Sequence, residues 1–271
     1  MEKARRSERI SVMCKMLLEK PRTVFPLGQF AELFDAAKST ISEDLGILKE
    51  AFQTYGFGQV ETITGAAGGA MYVPNWPKGR LRQFLQKLAE RVSVPERIIP
   101  GGFLYMADII YDPLMASQIG EIFATCFSHL EPDVIMTMET KGIPLALMTA
   151  RAFRVPLVIV RDASRVTEGS SVSINYVSGS THRIQTMSLS RRALPTGSRV
   201  IIIDDFMKAG GTARGMKELS DEFGAKVLGI GVLISTNEPR KKLVDDYLSL
   251  LTLEKLDEEE RRVFISPGIE A

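Results

Sequence analysis

Residues 200–212 constrain the fold of this chain more than any other stretch. Val200-Ile201-Ile202-Ile203 is a continuous apolar run, the pattern of a central strand buried on both faces. Asp204 and Asp205 stand at its carboxyl end, Phe206-Met207-Lys208-Ala209-Gly210-Gly211-Thr212 follows, and a helical pattern begins at Thr212. The glycines allow a tight turn that brings backbone N–H groups close to a ligand. With the start of the helix, those groups make an anion site, with about 0.3–2 kcal/mol from the helix dipole alone. Thr212 adds a hydroxyl donor and Lys208 a full positive charge. Two adjacent carboxylates would repel a bare phosphate. They fit a ligand whose vicinal hydroxyls donate to them, or one that brings a hydrated magnesium ion. A phosphorylated ribose has both parts.

The same alternation runs through the preceding residues. Helical patterns at 113–127 and 143–153 each precede an apolar strand pattern, at 134–138 and 157–160, and the helix at 212–223 leads into a strand at 227–234. This order predicts an α/β region with a mostly parallel sheet, helices on its faces and ligands at the carboxyl ends of strands. Met138-Glu139-Thr140-Lys141-Gly142 occupies one such strand end, ahead of a helix. Residues 161–192 are polar around few apolar anchors. They read equally as a lid over a charged ligand and as a plain surface hairpin. The charge run at 257–262 reads as a solvated turn.

Residues 1–74 follow another plan, and the Pro74-Asn75-Trp76-Pro77 break separates them from an expected second domain at 75–271. Ile10, Met13, Cys14, Leu17 and Leu18 share one helical face, and Pro21 stops that helix. Leu27, Phe30, Ala31 and Phe34 mark a second helix, and Ile41, Leu45, Leu48 and Phe52 a third. Thr40 and Glu43 have capping-box spacing at the start of the third helix. Then β-branched residues at 60–64, the turn Gly65-Ala66-Ala67-Gly68-Gly69 and Met71-Tyr72-Val73 read as a hairpin. Three helices joined by a short turn and followed by a hairpin make a winged helix-turn-helix. Beyond the break, Leu81, Phe84, Leu85, Leu88 and Val92 predict a connecting helix packed on the second region.

Composition narrows the function. Net charge is +1, from 34 basic and 33 acidic residues, so any nucleic-acid site must come from local arrangement. Two cysteines and two histidines supply no metal spacing and no disulfide framework. The amino terminus has no signal-type apolar run and no stretch is long enough to span a bilayer, so a cytoplasmic protein without membrane partners is expected.

Hydrophobic strand, Asp-Asp and a small-residue turn ending Gly-Gly-Thr together resemble the signature of type I phosphoribosyltransferases. The resemblance implies that Lys208, Ala209, Gly210, Gly211 and Thr212 hold the 5-phosphate of phosphoribosyl pyrophosphate (PRPP). It implies that Asp204 and Asp205 accept from the ribose hydroxyls, and that Phe206 flanks a base. Thr140, Lys141 and Gly142 are similar to the family's loop for the diphosphate. Lys208 departs from the pattern, since the enzymes usually carry a small or hydroxyl residue there.

Over nearly the whole chain, the sequence closely resembles the purine operon repressors of Gram-positive bacteria. The likeness is carried by Ser-Thr-Ile-Ser-Glu-Asp-Leu from Ser39, Gly-Ala-Ala-Gly-Gly from Gly65, Thr-Lys-Gly-Ile-Pro-Leu-Ala from Thr140, and Val-Ser-Ile-Asn-Tyr-Val-Ser-Gly-Ser from Val172. The Ile-Asp-Asp-Phe-Met-Lys-Ala-Gly-Gly-Thr core completes it. The resemblance implies a homodimer bound to double-stranded operators of purine genes, with PRPP as inducer at a phosphoribosyltransferase-like site that lacks transferase activity. Guanosine tetraphosphate, which also carries a diphosphate on a ribose, is a second candidate ligand.

Candidate DNA contacts are Lys3, Arg5, Arg6, Arg9 and Lys38 toward the phosphate backbone, and Ser39, Thr40, Ser42 and Glu43 on the third helix. A glutamate there accepts from cytosine N4 in the major groove. The readings kept against a repressor are an active purine phosphoribosyltransferase with an accessory domain and, more remotely, a scaffold that binds RNA.

Overall fold

Apolar side chains at helical spacing build the first part of the chain. The computed structural model describes residues 4–65, 68–164, 167, 169–177 and 184–269. It divides into two units, Met1–Pro77 with Arg151–Arg154, and Lys78–Ala150 with Val155–Ala271.

In the first unit, helices α1 (Arg6–Glu19), α2 (Leu27–Phe34) and α3 (Lys38–Tyr55) close around Met13, Leu17, Phe30, Ile41, Leu45 and Leu48. Asp35 caps α2 in the left-handed region (φ 47°), which reverses the chain within three residues. The strands are β1 (Phe25–Pro26), β2 (Gln59–Ile63) and β3 (Gly69–Val73), in the antiparallel order β1-β3-β2. The winged helix-turn-helix stands, and β1 is an addition that two residues did not announce. Gly69 makes it possible: a Cβ there would run into the Phe25 carbonyl.

The capping-box expectation is corrected. The turn at Asp35 leaves Ala37 extended as the flanking residue, so α3 starts at Lys38 with no side-chain cap. Thr40 therefore lies inside the first turn, and the Glu43 carboxylate bonds to Arg6 instead. Ala66 and Ala67 of the glycine-rich turn lie outside the described residues.

The second unit opens with α4 (Lys78–Val92), which buries Leu81, Leu85, Leu88 and Val92. A small hairpin of β4 (Ile98–Ile99) and β5 (Phe103–Leu104) follows, then α5 (Ala107–Ile110) and α6 (Pro113–Cys126). Asp112 caps α6 by accepting from the N–H groups of Leu114 and Met115, and Pro113 stands where no donor is needed. Then come β6 (Val134–Met138), α7 (Gly142–Phe153), β7 (Leu157–Val160), β8 (Ser171–Val177), β9 (Ile184–Ser190), β10 (Arg199–Met207), α8 (Gly211–Glu222), β11 (Lys226–Thr236), β12 (Leu248–Asp257) and β13 (Arg262–Pro267).

Six strands form the main sheet in the order β13-β12-β11-β10-β6-β7. All neighbours are parallel except β12 and β13, and α4 packs against these two. The strand Val200–Ile203 is fully buried near the middle of the sheet, as its composition demands. The order along the sheet turns at the β6–β10 pair, the position where open α/β sheets leave a crevice for ligands. Residues 161–192 contain the antiparallel pair β8–β9, and residues 178–183 lie outside the described residues. The charge run at 257–262 is the turn between β12 and β13. Among the described residues no helix is long and apolar enough to cross a membrane.

Candidate ligand site

The acid pair lies within β10, not after it. The ladder with β11 continues through Asp204↔Val232, Phe206↔Ile234 and Met207↔Ser235, so the strand runs four residues past Ile203. Alternation then sends Asp204 inward, where it is 8 % exposed, and leaves Asp205 half-buried and Phe206 39 % exposed. The Asp205 N–H donates to Asp204 Oδ1 at 2.9 Å. Burial, reinforced by the charge of Asp205, pushes the Asp204 carboxyl well above the usual carboxylate range. Burial also raises Asp205, against the pull of its hydrogen bond to Asp204 and of the Lys141 charge.

Beyond the strand, Gly210 adopts φ 83° and serves as the flanking residue of α8, with Gly211 its first residue. Asp204, Phe206, the loop 207–212 and Val232 line one cavity. Lys208 is exposed there, Ala209 and Thr212 are half-buried, and Gly210 and Gly211 are buried. The two expected loops meet. A Cβ at Gly142 would collide with the Thr137 hydroxyl and lie 2.8 Å from Asp204 Oδ1, so the first turn of α7 approaches the acid pair only as glycine. A second cavity joins Thr140 to Asp204, Asp205, Phe206 and Thr212. Lys141 is exposed, and its charge reaches Asp205. The Glu139–Thr140 peptide is cis.

Sequence reasoning gave no individual ligand role to the other polar residues of that cavity: Glu139, Asp162, Tyr176, Gln185 and Thr186. Glu139 is held by Arg161 Nη1 at 2.8 Å and by the Asp162 N–H at 3.0 Å. Burial works to raise its carboxyl, and these bonds outweigh it and leave Glu139 below the usual range. The Tyr176 hydroxyl donates to Gln185 Oε1 at 2.8 Å and also bonds to Thr212, tying the β8–β9 hairpin to the loop. Burial pushes that phenol up. The alternation of Val172, Ile174 and Tyr176, all turned toward the core, was the available signal.

In the first unit Arg5, Arg6, Lys38, Ser39, Ser42 and Glu43 are exposed, and Thr40 is half-buried. Lys3 lies outside the described residues. The expectation for Arg9 is corrected: it is 6 % exposed, with Nε 2.7 Å from Asp44 Oδ2 and Nη1 on the Ala4 carbonyl. A cation neutralised inside the unit is a structural group and does not reach a phosphate. Arg6 bridges outward, 3.1 Å from Glu43 Oε2 and 3.2 Å from Asp44 Oδ1. Glu43 thus meets an arginine before it meets any base. Lys49, Gln53, Gln59, Glu61 and Thr62 line a surface groove between α3 and β2 that the sequence did not single out.

Comparison with known proteins gives this arrangement its relatives. Residues 5–74 match the family model described as bacterial purine repressor, N-terminal, and residues 106–264 match the phosphoribosyl transferase domain. The purine biosynthesis transcriptional repressor PurR of Bacillus subtilis is 50 % identical over 266 residues, 98 % of this chain and 93 % of that protein. The chain belongs to the bacterial purine repressor family. Within it, the purine biosynthesis transcriptional activator PurR of Lactococcus lactis is 38 % identical over 97 % of each chain. In fold, this chain is similar to adenine phosphoribosyltransferase from Thermoanaerobacter pseudethanolicus. That match has a TM-score of 0.54 and 22 % identity, over 61 % of this chain and 98 % of the enzyme.

Proposed function

We propose that this chain is a DNA-binding transcriptional repressor of purine biosynthesis and related genes, induced by PRPP at the β6–β10 crevice and without transferase turnover. One observation carries the reading. Two acids with raised pKa sit between a glycine turn at a helix start and a second helix-start loop, in a chain that joins this crevice to a winged helix. Acids in that state gain from hydroxyl donors, and the turn gains from an anion. PRPP supplies both, with its diphosphate toward Thr140, Lys141 and Gly142 and its 5-phosphate toward the loop 208–212. Among the described residues no three acids, histidines or cysteines gather as a metal cage. Two hard carboxylates beside a diphosphate fit a hydrated magnesium ion that arrives with the ligand, and magnesium there would offset the diphosphate charge. Guanosine tetraphosphate, with its own ribose and diphosphate, competes for the same crevice.

The first unit reads DNA as one half of a homodimer on paired operator sequences, in the cytoplasm. Arg5, Arg6 and Lys38 meet phosphates and Ser39, Ser42 and Glu43 face bases. Repression is preferred over activation because the Bacillus relative, at 50 % identity, carries the repressor name. PRPP lowers operator affinity only insofar as it binds the non-operator state more tightly.

The match to a transferase domain supports one rival, an active phosphoribosyltransferase. Two assays on the full chain separate the readings. Operator mobility shift with increasing PRPP is expected to show release, and incubation with magnesium, PRPP and each purine base is expected to give no nucleotide. Enzyme-like turnover with PRPP-insensitive operator binding would overturn the proposal.

A further inference from the structure

The segment after β11 packs against the glycine turn, and it contains a buried lysine. Lys242 is 7 % exposed. Its Nζ donates to the Lys208 carbonyl at 2.5 Å, the Thr236 carbonyl at 2.7 Å and Thr236 Oγ1 at 3.2 Å. All three protons of the ammonium are thus spent on neutral oxygens. The next residue continues the pattern: the Leu243 N–H donates to the Ala209 carbonyl at 2.8 Å. Beneath the following glycine, a Cβ at Gly210 would stand 3.4 Å from both Leu243 N and Val244 Cγ2.

Peptide planarity gives this capture a consequence. In a trans peptide the N–H points opposite to the C=O. With the carbonyls of Lys208 and Ala209 both held from behind, the N–H groups of Ala209 and Gly210 turn to the front, where the anion site lies. A carbonyl bonded to an ammonium also polarises its peptide, which strengthens the N–H as a donor. A buried cation behind the turn adds attraction that water screens little.

We infer that Lys242 is a positioning residue for the phosphate loop, fixing the Lys208–Ala209 peptide so that the turn presents its N–H groups to a phosphate. This rests on the phosphoribose reading of the crevice and deepens it. Such a lysine is costly to bury, and burial lowers its pKa against the opposing field of Glu238. Arg240, Lys241, Asp245 and Asp246 of its own segment, and Lys208 of the loop, are exposed to water. A phosphate bound at the turn favours the ammonium form, so binding takes up a proton once the pH exceeds the lowered pKa.

The test is calorimetric titration of the full-length protein with PRPP, ribose 5-phosphate and inorganic phosphate from neutral pH upward. Lys242→Met is expected to weaken all three by about tenfold or more, the scale of one charge-assisted bond, and to leave ligand-free operator binding unchanged. Wild-type affinity is expected to fall at a pH below the ordinary lysine range of about 10.4, while the variant stays flat through that interval. A lysine that only packed the segment would lower thermal stability without that step. Unchanged affinity in Lys242→Met overturns the inference; should that variant not fold, a wild-type profile with no step overturns it equally. A wild type that binds none of the three probes removes the phosphoribose reading and this inference with it.

Discussion

Asp44 in the first unit and Asp204 in the second are both buried carboxylates, and their surroundings are opposite. Asp44, 0 % exposed, meets Arg9 Nε at 2.7 Å, while Arg6 Nε lies 3.2 Å from its other oxygen in an ion pair without hydrogen-bond geometry. Asp204 meets Asp205, a second carboxylate, and its pKa rises from burial and that neighbour. The acid with guanidinium partners is neutralised within the unit: through Arg9 it joins α1 to α3, with its second oxygen held by the charge of Arg6 alone. The acid beside another acid at the wall of a cavity gains only when a ligand brings donors or a cation. Perturbed carboxylates of the second kind mark binding sites, and paired ones of the first kind mark architecture.

Breaking each acid tests that contrast, with the largest effect at Asp44. Asp44→Ala leaves Arg9 buried without its partner and should cost about 3–5 kcal/mol in denaturant unfolding. Asp204→Asn should have the opposite sign and stabilise the ligand-free protein, with each kcal/mol worth about 2–4 °C in Tm. Equal destabilisation by both would break the comparison.

A smaller effect lies in pH. A carboxyl whose folded pKa is raised contributes stability that is present at low pH and lost as pH rises through that folded value. Above the ordinary carboxylate range, then, the Tm of the unliganded protein should fall as Asp204 and Asp205 ionise. Affinity for PRPP should rise through the same range, because the ionised pair accepts from the ribose hydroxyls. Parallel thermal scans and ligand titrations check both signs, and Asp204→Asn with Asp205→Asn should flatten both curves.

The smallest effect lies in the salt dependence of DNA binding. Replacing Arg5 and Arg6 with alanine should reduce the slope of log affinity against log salt by about 0.9 for each phosphate that is no longer neutralised. An unchanged slope removes that arm from the DNA interface.

Much of this was legible in the sequence, for reasons that differ by residue. The apolar run at 200–203 has the pattern of a central strand, and the glycines before Thr212 have that of a close-approach turn. Where the strand ended was less legible, because Asp204 and Asp205 look like loop residues until β11 is seen pairing out to Ser235. The strand β12 was hidden by leucines, whose propensity favours a helix; pairing with β11 decides it. Arg9 lay in a basic run suited to DNA, and only the packing of α1 on α3 revealed Asp44 as its partner. Lys242 carried no local signal at all, since its role depends on carbonyls as far as 34 residues away.

The central claim is that the acid pair measures PRPP for the operator-binding unit. Its direct test is a mobility shift in which PRPP is titrated into operator complexes of the wild type and of the Asp204→Asn, Asp205→Asn double variant. Loss of two charge-assisted hydrogen bonds, about 1.5–3 kcal/mol each, predicts equal operator binding without ligand and at least about a hundredfold more PRPP for release of the variant. Release of both proteins at the same PRPP concentration would contradict the account.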